Sequence, residues 1–279
     1  LSSLGKFSVG ILGLGQMGGS LAGALKARDR NLRINGFDIR KPLVKAALKT
    51  GIIENASGHE LDLIESSEIL ILALPISIII EMLDKYHRHL LRKILVIDFG
   101  SIRAPIQKTV AKFHLNNHVG IHPVCGTASR GCEAWNANLF EKAPCFVFAG
   151  QKGKYKPYIL AKRLIKTIGG KMEEIDFIEH DAGFALTSGL PHIIAYSLLK
   201  LLRDSGISHR SLQGPSFASA TRVASSDPEI VSQFLFHNRK FLIKQITGFE
   251  KQLKHFKALV ATGDLQVLIE AIENYGKAT

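Results

Sequence analysis

The chain has 279 residues, of which 36 are Lys or Arg and 24 Asp or Glu, for a formal charge of +12. Its 46% apolar content excludes a disordered polymer and provides for a sizeable core, and its length fits one large domain or two ordinary ones. The positive excess selects anionic partners without choosing among nucleic acid, an anionic membrane and a small acidic ligand.

Phe7 to Leu12 reads as a short strand followed at once by glycines, and Gly18 to Lys26 as a helix of small residues. Leu32 to Phe37 is a second strand, and Lys41 to Thr50 a second helix closed by Gly51. Ile69 to Leu74 is a third strand, ended by Pro75, with a helix over Ser77 to Leu91. Ile94 to Ile97 and Cys145 to Phe148 are further strands, and Ile106 to Phe113 and Tyr155 to Ile168 are helices. Lys171 to Ile175 can add a last edge strand. Strands alternating with helices imply a mainly parallel sheet covered on both faces.

From Phe177 onward the pattern is helical. Asp181 to Leu202 is a long apolar helix that Pro191 should kink. Asp227-Pro228 starts another, and Val231, Leu235, Leu242, Ile246, Phe249, Leu253, Phe256 and Val260 place one apolar face along a single long helix. Gly263-Asp264 starts a final short one. The expectation is an α/β domain over residues 1–176 with a Rossmann-type, mainly parallel sheet, then an all-helical domain over 177–279. So much apolar face in about 100 residues calls for a covering surface, and a homodimer through these helices is expected.

Cys125, Cys132 and Cys145 are too few and too irregularly spaced for a disulfide framework or a zinc site. A reducing, cytoplasmic setting and no metal are expected. The longest apolar run, Ile69 to Ile80, is interrupted by Pro75 and Ser77 and falls short of the ~20 residues of a membrane helix. The start of the chain has no signal-peptide pattern. Lys and Arg are spread without a run of five or six, and no nucleic-acid-binding motif occurs. Neither membrane nor nucleic acid is therefore an expected partner.

Gly13-Leu14-Gly15-Gln16-Met17-Gly18 is a G-x-G-x-x-G between a predicted strand and a predicted helix, the setting the dinucleotide fingerprint requires. The first glycine permits the turn, the second lets the backbone approach a pyrophosphate, and the third allows close packing of helix on strand. Helix N–H groups meet the anion. Asp38 ends the second strand 20 positions after Gly18, where a carboxylate accepts from ribose hydroxyls and repels a 2′-phosphate. Arg40 beside it can accommodate such a phosphate, but the motif logic favours NAD over NADP. Leu74 and Pro75, at the end of the third strand, complete the candidate cofactor set.

Ser101 and His122 follow two further apolar stretches, and ligands in open α/β sheets sit outside the carboxyl ends of strands. His122 is the natural acid/base, with Ser101 able to orient it. Spacing alone fits equally well a capping serine and a loop histidine before Pro123.

Four segments carry a family resemblance. Val9 to Leu21, His122-Pro123-Val124-Cys125-Gly126-Thr127, Leu190-Pro191-His192 and Thr221-Arg222-Val223-Ala224-Ser225-Ser226-Asp227-Pro228 resemble, in order, signatures of the prephenate/arogenate dehydrogenase family of tyrosine biosynthesis. The resemblance implies that His122 hydrogen-bonds the 4-hydroxyl of a cyclohexadiene and helps draw off its proton, supported by Ser101. Hydride then leaves C4 for the nicotinamide as the ring loses CO₂. It further implies that Arg222 binds a carboxylate of a dicarboxylate substrate and that His192 lines the pocket. Thr127 and Arg130 extend the candidate substrate-binding set. Without the resemblance, His192 reads as a core histidine beside a kink and Arg222 as a solvated arginine before an N-cap.

The sequence departs from common forms of that pattern at Gly189, where many members carry another histidine. It departs again at Ala128 and Ser219, where acidic residues occur. Loss of acidic groups favours prephenate, which has no ammonium to bind. Arogenate or an amino-substituted analogue is the alternative enzyme reading. A non-catalytic, basic NAD-binding module is the alternative outside enzymes.

Overall fold

The computed structural model describes residues 4–126, 131–150, 152–207 and 212–276. Among them eight strands form one sheet, in the order β3-β2-β1-β4-β5-β6-β7-β8. These are β1 (Val9–Leu12), β2 (Ile34–Phe37), β3 (Asn55–Ala56), β4 (Ile69–Leu72), β5 (Leu95–Asp98), β6 (His118–Pro123), β7 (Pro144–Ala149) and β8 (Lys171–Glu174). β3 to β6 run parallel, β7 is antiparallel to β6, and β8 is parallel to β7. Successive strands step outward from β1 to one side and then from β4 to the other. Between them lies the crossover point where open α/β sheets bind ligands.

The central strands read as uninterrupted apolar runs because both faces are covered: Ile69, Leu70, Ile71 and Leu72 of β4 are all fully buried. On one face lie α1 (Gln16–Arg28), α2 (Lys41–Lys49) and α6 (Lys156–Thr167), whose Leu21, Leu25, Ala47, Leu164 and Ile165 join the core there. On the other lie α3 (Glu60–Ser66), α4 (Ile76–Leu90) and α5 (Ala104–Lys112), through Leu63, Ile79, Leu83 and Ile106. Burying each such side chain contributes about 1.5–3 kcal/mol.

The helical half comprises α7 (Phe177–Phe184), a π-helical turn (Ala185–Gly189), α8 (Leu190–Asp204), α9 (Pro215–Thr221), a 3₁₀ turn (Arg222–Ser225), α10 (Pro228–His237), α11 (Arg239–Ala261) and α12 (Leu265–Gly276). Asp176 caps α7 by accepting from the N–H groups of Ile178 and Glu179. The stretch Phe177–Asp204 is long and apolar enough to cross a membrane by length and composition, but its His180 and Asp181 are buried in polar contacts with the sheet half.

Several expectations are corrected. The helix expected from Asp181 begins at Phe177. The disturbance expected from Pro191 is a π-turn just before it, where the missing proline N–H shifts the hydrogen-bond ladder. The single long helix expected from Asp227 breaks at Asn238, which is buried and spends its side-chain N–H on the carbonyl of Asp181 (2.8 Å). Its apolar face divides accordingly: Val231, Phe234 and Leu242 are buried, whereas Leu253, Phe256 and Val260 are exposed. The sequence reading also passed over β3, α3 and α9 as elements and read β6 only as a short apolar stretch without bounds. β6 is poor in β-formers, with two histidines, a glycine and a proline, and is held by neighbours on both sides.

Candidate active site

The glycine loop joins β1 to α1. Gly13 has φ +90°, and a side chain there would strike the Ala73 carbonyl. A side chain on Gly18 would strike the carbonyl of Gly13, so helix and loop touch backbone to backbone. Gly15 caps α1 without a side-chain hydrogen bond, and Gln16 and Met17 form the first helical positions. Backbone N–H groups at a helix start of this kind suit an anion. Trp135 braces the loop, its indole N–H shared between the carbonyls of Leu14 (3.0 Å) and Gly15 (3.1 Å). Leu74 lies against Gly13, and Pro75 precedes α4.

Asp38 is buried just beyond β2. Its Oδ2 accepts from the Leu14 N–H at 2.8 Å, tying the second strand to the loop. Arg40 donates to the same carboxylate from its backbone N–H (2.8 Å), Nε (3.1 Å) and terminal nitrogen (3.2 Å). Its guanidinium lies beside Gly15. These residues fit a dinucleotide: the loop admits backbone approach, a helix N-terminus follows it, and a carboxylate sits at the ribose position.

β5 and β6 are paired in parallel, with Asp98 opposite Gly120, so Ser101 and His122 emerge at the same edge of the sheet as Gly13 and Leu74. The loop after His122 comes within van der Waals distance of Gln16 at Gly126. Ser101 is half-buried and, among the described residues, makes no hydrogen bond to His122. His122 Nδ1 lies instead 2.9 Å from Nε2 of His180. His180 Nδ1 lies 2.8 Å from Oδ1 of Asp181. Phe184 stacks obliquely on both imidazoles, at 4.8 and 4.6 Å between centroids. Burial, followed by the neighbouring His180 and Arg103, pushes the His122 imidazole down to about 3, against a weaker opposing pull from Asp98. It is thus neutral at physiological pH.

Beneath these rings, Arg103 is fully buried. It donates to Asp98 Oδ1 (2.6 Å), Asp98 Oδ2 (2.8 Å) and the Gly100 carbonyl (2.9 Å). His118 Nε2 lies 2.8 Å from the same Asp98 carboxylate. The guanidinium fills the space that a side chain on Gly120 would need. Burial opposes ionisation of Asp98, but the charge and hydrogen bonds of Arg103 and the contact with His118 outweigh it and hold the carboxyl well below its usual range. Asp181 reaches across from α7 to accept from the backbone N–H groups of Arg103 (2.9 and 3.1 Å) and Ala104 (2.8 Å), capping α5.

The helical half also closes on α4, where Gln233 accepts from the Ser77 N–H and the Ser77 hydroxyl lies 2.8 Å from His237 Nε2. His192 is on α8, its Nδ1 donating to the Ser188 carbonyl at 2.8 Å, which leaves Nε2 as an acceptor. α8 packs against the 3₁₀ turn that begins at Arg222. Thr127 and Arg130 lie outside the described residues. The sequence reading missed His180, Asp181, Arg103, Asp98 and His118. The adjacent His180-Asp181 pair in an otherwise apolar helix was the signal available for the first two.

Comparison with known proteins then gives a consistent result. Residues 21–174 match the family model described as prephenate dehydrogenase, nucleotide-binding domain. Residues 177–274 match the one described as prephenate dehydrogenase, dimerization domain. The chain is 27% identical to a cyclohexadienyl dehydrogenase of Zymomonas mobilis, covering 97% of this chain and 94% of that protein. It is also 27% identical to a prephenate dehydrogenase of Bacillus subtilis, covering 94% of this chain and 72% of that one. Among solved structures, a prephenate dehydrogenase from A. aeolicus in complex with hydroxyphenyl propionate and NAD+ is 28% identical. It superposes with a TM-score of 0.90, covering 97% of this chain and 96% of the other.

Proposed function

Because the chain belongs to the prephenate dehydrogenase family, we propose that it catalyses the NAD-dependent oxidative decarboxylation of prephenate to 4-hydroxyphenylpyruvate in tyrosine biosynthesis. The observation that carries this reading is the placement of a buried, neutral imidazole, His122, at the sheet edge that bears the glycine loop. Oxidation at a carbinol carbon needs a base at the hydroxyl and a hydride acceptor at the ring face.

Bound NAD supplies the hydride acceptor. The backbone of Gly13 to Gly18 and the start of α1 would hold its pyrophosphate, and Asp38, with Arg40 beside it, would accept from its ribose. The Asp38 carboxylate disfavours a 2′-phosphate and hence NADP. His122 Nε2 takes the proton of the substrate's 4-hydroxyl, with Ser101 supporting the hydroxyl. Arg222 binds a carboxylate with the fork geometry that Lys lacks, and His192 offers Nε2 to the same pocket. Thr127 and Arg130, in the segment after His122, complete the substrate contacts. As CO₂ leaves, the electron pair of its bond to the ring makes the ring aromatic and leaves a phenolate, which takes back a proton to give the 4-hydroxyl of the product.

Prephenate is preferred over arogenate because Ala128 and Ser219 offer no acidic partner for an ammonium group. The protein acts as a homodimer in the cytoplasm. The exposed apolar side chains of α11 and α12, among them Leu253, Val260, Leu265 and Ile272, are the surface the second copy covers, and the three thiols are free. Measuring NADH formation with prephenate and with arogenate tests the substrate assignment. A higher kcat/KM on prephenate is expected, and a clear arogenate preference overturns it.

A further inference from the structure

The hydrogen bonds behind His122 determine which of its nitrogens is available. The Asp181 carboxylate accepts the N–H groups of Arg103 and Ala104, and it faces His180 Nδ1 at 2.8 Å. A carboxylate that accepts on this side requires a proton on His180 Nδ1. Taking His180 as neutral, its Nε2 lone pair faces His122, and the 2.9 Å contact then places the shared proton on His122 Nδ1. His122 is left with an unprotonated Nε2, the nitrogen a substrate hydroxyl must meet.

The surroundings also decide where positive charge can rest. A proton added to His122 lies near the Arg103 guanidinium, which is packed over the Phe148 ring with its centre 5.0 Å from the ring centroid. The same proton moved to His180 lies against the Asp181 carboxylate. The remaining sides of His180 are closed by the rings of Phe146, Phe148 and Phe184. Among the described residues, Asp181 is the acidic group that contacts it. The Asp98 carboxylate beyond is taken up by Arg103 and His118.

We propose that His180, anchored by Asp181, is a positioning residue that fixes the tautomer of His122 and receives the positive charge when His122 takes the substrate's proton. This rests on the reading of His122 as the base. The substrate O–H bond breaks as an N–H bond forms at His122 Nε2. The proton on His122 Nδ1 passes to His180 Nε2, and His180 keeps its Nδ1 proton on Asp181. One proton leaves the substrate and one positive charge appears, on His180, while the hydride and its electron pair follow the separate path to the nicotinamide.

Two measurements test the proposal. Long-range ¹H–¹⁵N correlation spectra of the free wild-type protein at neutral pH should show His122 protonated at Nδ1 and bare at Nε2. The reverse tautomer overturns the proposal whatever the substrate is, so this result stands apart from the success or failure of the prephenate assignment. His180→Gln keeps an oxygen that can accept from His122 Nδ1 but cannot hold the proton. It should retain the His122 tautomer and NAD affinity and lower kcat about 10-fold or more with little change in KM. It should also move the acid limb of the kcat/KM profile to lower pH. Wild-type kcat or an unmoved limb in His180→Gln overturns the charge-receiving role. Asp181 is left intact because its removal also uncaps α5.

Discussion

The sheet half and the helical half solve the problem of burial differently. In the sheet half, β1, β4 and β5 are buried along their whole lengths, so that half carries its own core. In the helical half, few side chains are buried. Ala185, Leu190, Ala195, Val231, Phe234 and Leu242 form its apolar interior, and α12 contributes none. It is attached to the other half by Phe234, which joins the core beneath α4, and by polar contacts: His180 to His122, Asp181 to the start of α5, and Gln233 and His237 to Ser77. One half supplies a rigid platform, and the other supplies groups that complete it and exposed apolar surface on α11 and α12. Loops and docking elements of this kind carry chemistry because a rigid scaffold positions them.

The largest effect is expected where the halves meet. His122→Ala should lower kcat by about 10²–10⁴-fold with NAD binding nearly unchanged, measured by initial rates and by cofactor titration. Unchanged turnover would place the base elsewhere and remove the junction from the mechanism. Next is the buried charge cluster beneath it. Asp98→Ala leaves the fully buried Arg103 without its carboxylate, and a loss of about 3–5 kcal/mol is expected from urea unfolding. A loss below 1 kcal/mol would mean that the platform does not depend on that pair.

The helical half should fail in a different way. Ile272→Asp puts a charge into exposed apolar surface of α12, and sedimentation should show the dimer replaced by monomer. Each monomer should keep its sheet-half stability. A variant that remains dimeric moves the covering contact away from α12. The smallest effect is the pH dependence of stability. Folding holds His122 down to about 3 against an ordinary 6.5, so between those values the unfolded chain binds a proton that the folded chain refuses. Stability is complete above pH ~6.5 and falls as the pH drops toward 3. The depressed Asp98 adds to the fall as the pH passes below the ordinary carboxylate value of 3.8. Urea midpoints at pH 7 and 5 should decrease in that order, and equal midpoints would contradict the neutral burial of His122.

What could be read from the sequence was local. The glycine loop, Asp38 and the helix that follows lie within about 30 residues, and their spacing is set by one strand–helix–strand unit. Ser101 and His122 could be placed at strand ends, but the expected support of His122 by Ser101 is replaced by a contact with His180, hidden because that residue is 58 positions away and the contact depends on how α7 docks. The break at Asn238 was hidden for the same reason: the apolar period continues through it, and a tertiary hydrogen bond to Asp181 overrides the pattern. Arg103 was passed over because arginine ordinarily sits at the surface. Its burial becomes intelligible only when Asp98, His118 and the missing side chain of Gly120 are brought around it.

Asp181 belongs by sequence to the helical half, yet the first turn of α5 in the sheet half depends on it for its cap, and Asn238 of the α10–α11 corner is hydrogen-bonded to its carbonyl. The two halves therefore share a joint that neither can release alone. Pulling the helices away would leave buried N–H groups at α5 unmatched and strand an imidazole in an apolar pocket. Because the cap of one half belongs to the other, loosening α7 also loosens α5, and the two halves are expected to unfold in one urea transition.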